Sequence, residues 1–130
     1  GVDRLAGQQA AQNLKQAIAE SIGQEDAIQR DLQRSEDIVR LLAAVTQQPT
    51  AITIPIGEQR EICQQDAADC NGLIDLSFLI TQGLLENIPL DPLAKPDDTS
   101  TGYALVRSSN NNMRLIALNT ELSKTPLSVQ

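Results

Sequence analysis

Ile28-Gln29-Arg30-Asp31-Leu32-Gln33-Arg34-Ser35-Glu36-Asp37-Ile38-Val39-Arg40-Leu41-Leu42-Ala43-Ala44-Val45 is the stretch on which the fold turns. Neither Gly nor Pro occurs between Gln24 and Gln48. Ile28, Leu32, Ser35, Ile38 or Val39, Leu42 and Val45 fall into one stripe at helical period. Arg30, Asp31, Arg34, Glu36, Asp37 and Arg40 interleave it with both signs of charge, which reads as a solvated face. That is the pattern of an amphipathic helix laid on a sheet or on another helix. Leu32, Ile38, Leu42 and Val45 are expected to pack against strands holding Tyr103, Leu105, Leu115 and Ala117.

Toward the N-terminus, Val2 to Ile22 is rich in Ala and Gln, and Leu14, Ile18 and Ile22 repeat at i, i+4. Gly23 interrupts this pattern at a cost of about 1 kcal/mol relative to Ala, so it either kinks one long helix or separates two. Toward the C-terminus, Pro49 ends the helical region. Ala51-Ile52-Thr53-Ile54-Pro55-Ile56 alternates and predicts a short edge strand, because Pro55 cannot donate to a ladder. Gly57–Arg60 reads as a turn and Glu61–Cys63 as a returning strand. Asp75 suits an N-cap for a helix over Leu76–Leu85. Asn87–Ser100, with Pro89, Pro92 and Pro96, is a loop. Tyr103–Arg107 and Met113–Asn119 read as strands around an Asn-rich turn, Ser108–Asn112. Glu121–Gln130 reads as a polar tail. A helix followed by strands predicts an α+β fold, with a long N-terminal helix packed on a small antiparallel sheet. The 130 residues form one domain: helical region 1–48, globular region 49–122 and tail 123–130.

Composition narrows the function. The chain has one Phe, one Tyr and no Trp, so its core is aliphatic. Its net charge is −7 and it offers no basic stripe with which to grip phosphates, so no nucleic-acid contact is expected. With no His, the usual general base is missing, no Gly-rich loop opens a helix, and no enzyme is expected. Two cysteines, Cys63 and Cys70, flank a polar Gln/Asp/Ala loop. A disulfide there is expected, with two free buried thiols as the other option, and it implies an oxidising compartment. No apolar run is long enough to span a bilayer.

The motifs follow one another in a fixed order. Arg30-Asp31-Leu32-Gln33-Arg34-Ser35-Glu36-Asp37-Ile38 lies late in the helix, and Thr50-Ala51-Ile52-Thr53-Ile54-Pro55 comes next. The Cys63–Cys70 loop, Gly72-Leu73-Ile74-Asp75-Leu76, Ile88-Pro89-Leu90-Asp91-Pro92 and Thr101-Gly102-Tyr103 complete the series. In this order the chain resembles the soluble region of type IV pilin-like proteins and pseudopilins.

The resemblance implies a pilin-like domain that serves as a subunit of an extracellular pilus or secretion pseudopilus. Its partners would be other copies of itself or related pilins, and an assembly machinery in the membrane. An apolar N-terminal helix would anchor it in the membrane before assembly at the cell surface. Leu14, Ile18 and Ile22 would continue the fibre core as an assembly face. Some secretion pseudopilins bind calcium in a corresponding loop, which makes Asp91, Asp97 and Asp98, with Glu86 nearby, the calcium alternative in a chain expected to need no cofactor. A solvated acidic turn is the plainer reading of those three. The alternative to a fibre subunit is a secreted helical adaptor that binds a partner without catalysis.

Overall fold

The computed structural model describes residues 2–109 and 112–130, with side chains from residue 24 onward. One helix, α1, runs Val2–Val45 and passes through Gly23 without a boundary. It ends in a frayed turn, where Thr46 N–H donates to the Leu42 carbonyl and Gln48 N–H to that of Val45. Pro49–Ala51 follows as a single 3₁₀ turn.

Four strands make one antiparallel sheet: β1 Gln59–Cys63, β2 Ser100–Arg107, β3 Met113–Ala117 and β4 Leu127–Val129, in the order β1-β2-β3-β4. Tyr103 stands opposite Ala117, and Leu105 opposite Leu115. Residues two apart share a face, so Tyr103 and Leu105 join Met113, Leu115 and Ala117 beneath the helix. There they meet Ile38, Leu41, Ala44 and Val45, all buried. The architecture is α+β, a helix packed on an antiparallel sheet.

The expected apolar stripe is rotated. Ile38 and Val45 are buried and Leu42 is partly buried, but Ile28 (43% exposed), Leu32 (53%) and Val39 (52%) face away from the sheet. The buried face is Ala27, Arg34, Asp37, Ile38, Leu41, Ala44 and Val45. Arg34 and Asp37 therefore lie inside, against the expectation of a solvated charged face. The outlying charges Glu36 and Arg40 are exposed.

Three other expectations are corrected. Ala51–Ile56 buries Ile52 and Ile54 and exposes Thr53 and Pro55, but it joins no ladder; the partner of β1 is β2. The Arg107 guanidinium donates instead to the Pro49 and Ile52 carbonyls and so holds this segment by its backbone. The helix expected over Leu76–Leu85 is only Ser77–Thr81, α2. Gly83, at φ +77, stops it: Gly83 N–H bonds to the Ile80 carbonyl and Leu84 N–H to that of Leu79, a left-handed helix stop. The tail is no loose end, because Leu127, Ser128 and Val129 pair with Ala117, Ile116 and Leu115. In the turn expected over Ser108–Asn112, residues 110 and 111 lie outside the described residues.

Candidate functional site

The largest concentration of polar chemistry surrounds Arg34. Its side chain is fully buried, and its guanidinium reaches three carboxylates from three parts of the chain. Nε donates to Asp91 Oδ2 at 2.7 Å and Nη2 to Asp91 Oδ1 at 3.1 Å, a forked pair with both partners out of solvent. Nη1 donates to Asp31 Oδ1 at 2.8 Å and to Glu121 Oε2 at 2.7 Å. Arg30 adds a second forked pair to Glu121, at 2.5 and 2.7 Å. Asp31 also accepts the backbone N–H groups of Glu121 and Leu122. Helix, Pro-rich loop and the segment before β4 are thereby fastened at one point.

A second buried carboxylate sits one turn along. The Tyr103 hydroxyl donates to Asp37 Oδ2 at 2.6 Å, and Gln33 Nε2 and Arg40 Nη2 donate to Asp37 Oδ1 at 2.8 and 3.0 Å. Among the described residues no buried side-chain polar atom lacks a partner. Burying charge is tolerated only on that condition.

Local backbone chemistry positions these groups. Asp91 Oδ1 accepts Leu93 N–H and its carbonyl accepts Ala94 N–H, so Asp91 closes its own turn over residues 91–94, which holds Pro92. Asp91 N–H bonds in turn to the Thr101 carbonyl at 2.9 Å. Gly102, at φ +84, lets that loop approach: a Cβ there would stand 2.8 Å from Asp91 Cβ and 3.0 Å from Asn119 Nδ2. Thr101 Oγ1 donates to the Ile62 carbonyl and ties β2 to β1.

Electrostatics follow from this geometry. The hydrogen bonds to Asp91, then those to Glu121 and Asp31, hold the Arg34 guanidinium charged against the cost of burial, raising its pKa. The Arg30 bond, then that of Arg34, pulls Glu121 down to about 2. Burial pushes Asp31 up, but the backbone donors of Glu121 and Leu122 together with Arg34 outweigh it, and its pKa is lowered. Burial, then the bond to Asp37, raises the Tyr103 phenol.

Cys63 and Cys70 form a disulfide with Cα atoms 5.6 Å apart. The ring they close grips the Pro-rich loop. Gln64 Nε2 donates to the Lys95 and Ser100 carbonyls at 3.0 Å each, and Gln65 Oε1 accepts Ile88 N–H. An open cleft of about 450 Å³ separates ring and loop, lined by Gln65, Asp66, Asn87, Leu90 and Pro96 among others.

The residues singled out in the sequence fare differently. Leu14, Ile18 and Ile22 have side chains outside the described residues. Asp91, expected in a solvated acidic turn, is 2% exposed, and both its oxygens are occupied by N–H donors. Asp97 and Asp98 are exposed, and Asp98 Oδ2 accepts Lys95 N–H. Among the described residues no three His, Cys, Asp or Glu side chains are placed to hold a metal ion.

The Arg-Asp, Ile-Pro-Leu-Asp-Pro and Thr-Gly-Tyr motifs, read singly in the sequence, converge on the Arg34–Asp91 and Tyr103–Asp37 pairs. Glu121 was missed, because nothing in its polar neighbourhood marks it. Arg34 carried a legible signal: it lies seven residues before the buried Leu41 and seven after the buried Ala27. Comparison with known proteins finds no family model, no curated protein and no solved structure that matches the chain.

Proposed function

We propose that the chain is a structural subunit of an extracellular, type IV pilin-like fibre, acting by assembly through α1 rather than by catalysis. One observation carries the reading: α1 has a second apolar stripe, Ile28, Leu32 and Val39, exposed on the face turned from its own sheet. In sequence, Leu14 and Ile18 precede Ile28 and Leu32 by two heptads each, a spacing suited to a neighbouring helix. A helix that is apolar on two sides is built to be covered on both. The Cys63–Cys70 disulfide is in keeping with a compartment outside the reducing cytoplasm.

The test is to place a charge on the outer stripe. Leu32→Asp and Val39→Asp, expressed from the native gene, should leave the melting temperature of the purified domain unchanged and remove the protein from cell-surface fibres. Fibres that incorporate both variants normally would end the assembly reading. Recovery of the unaltered protein only in soluble secreted complexes would favour the adaptor instead.

A further inference from the structure

We propose that Asn71 is a site of spontaneous deamidation, at which the folded chain converts an exposed turn beside the disulfide into aspartate and isoaspartate. Asn71-Gly72 is the one Asn-Gly pair in the sequence; each of the other six Asn residues is followed by a residue with a side chain. Both residues are exposed, in a turn closed by Leu73 N–H donating to the Cys70 carbonyl at 2.9 Å.

The nucleophile this chemistry needs is the Gly72 backbone nitrogen. Gly72 N–H has no acceptor among the described residues, and even a Cβ built on this residue would meet nothing within 4 Å. Water can therefore reach the proton that must leave; for the ring to close, Asn71 Nδ2 must first let go of Asp69 Oδ2, to which it donates at 2.9 Å. Once deprotonated, the nitrogen attacks Asn71 Cγ. The new C–N bond closes a five-membered succinimide, and Nδ2 departs as ammonia. Water then opens either carbonyl of the ring. One opening gives aspartate, and the other gives isoaspartate, in which the main chain runs through the former side chain. One water is consumed and one ammonia released, with no other reactant.

The turn makes the conversion consequential. Asp69 now accepts Asn71 N–H and Nδ2, each at 2.9 Å; afterwards it loses the Nδ2 donor and faces a second carboxylate. Three residues after Asn71, Ile74 covers the outer edge of β1, with Cys63 N–H donating to the Ile74 carbonyl at 2.7 Å and Ile74 N–H to that of Glu61 at 2.9 Å. Isoaspartate inserts an extra methylene into the main chain between Cys70 and this bridge, so the edge cover loosens as the protein ages.

The experiment incubates the whole oxidised chain in mildly alkaline buffer and follows it by peptide mapping. A linear peptide spanning residues 69–75, its cysteine blocked, is incubated alongside. Residue 71 should gain the mass difference between amide and acid before any other Asn does, with isoaspartate detectable by enzymatic methyl transfer. The Asn71→Gln variant should lose this signal. Purified converted protein should show faster amide exchange at Ile74 and Cys63, with the β2 and β3 amides unchanged. An Asn71 still intact in the folded chain when the peptide has fully converted would overturn the site. Conversion without faster exchange at Ile74 would overturn its effect on the sheet edge.

Discussion

Each face of α1 carries residues that usually sit on the other. Toward the sheet, its described half carries Arg34 and Asp37, essentially without exposed surface; away from the sheet it carries Ile28, Leu32 and Val39, each about half exposed. Ile38, Leu41, Ala44 and Val45 hold the inward face to the sheet, and Arg34 and Asp37 are carried in with them. The inward charges are tolerated because they are fully bonded, whereas the outward side chains keep about half of their surface open to water. The inner face answers to this chain's own loops, and the outer face is left to something else.

Breaking the inner face should have the largest effect. Arg34→Met keeps much of the volume but leaves Asp91 buried opposite no cation. A loss of about 3–5 kcal/mol is expected in urea denaturation. Adding Asp91→Leu should recover most of it, since apolar replacement of a buried pair is often neutral. A double variant as unstable as the single one would mean that the loop needs the pair for its shape.

The next comparison sets one leucine against another on the same helix. Leu41→Ala, under the sheet, should cost about 2–5 kcal/mol, while Leu32→Ala should stay within about 0.5 kcal/mol of the parent. Equal losses would show that Leu32 is covered in solution. Tyr103→Phe removes one of three donors to Asp37, and a loss of about 1.5–3 kcal/mol in the same denaturation is expected.

The smallest effect is a pH dependence. Glu121 titrates in the folded chain near 2, below its unfolded value of about 4.3. Its stabilising contribution is complete above that unfolded value and is lost as the pH falls toward 2. Asp31 shifts in the same direction. Melting curves of Glu121→Gln should therefore converge on those of the parent as the pH is lowered through this window. A constant offset would place the role of Glu121 in packing.

The sequence disclosed the elements better than it disclosed their contacts. The helix, β1, β2, β3 and the disulfide were legible because period, proline punctuation and cysteine spacing are local signals. β4 was not, because Leu127-Ser128-Val129 is too short to establish an alternation. The strand expected over Ala51–Ile56 had the correct period but no ladder, since burial alternates whether or not a backbone partner is present. The Arg34 cluster was hidden for a different reason. A charge is assumed to seek water unless its partners are known, and Asp91 and Glu121 lie 57 and 87 residues away.

The Arg34 cluster also governs how the molecule would carry load. Residues 27–37 lie on the N-terminal side of the apolar contacts at Ile38–Val45. A pull on the N-terminal end of α1 therefore reaches the bonds of Arg30, Asp31 and Arg34 before the contacts of Ile38–Val45. There the helix is bonded at once to the Pro-rich loop and to the segment leading into β4. Several short bonds loaded together in shear must break as a group, whereas bonds arranged like a zipper fail singly. Resistance to such a pull is set by an unfolding rate rather than by equilibrium stability. The buried charges thus act as a rivet, with the helix as tension member and the sheet as the plate it holds.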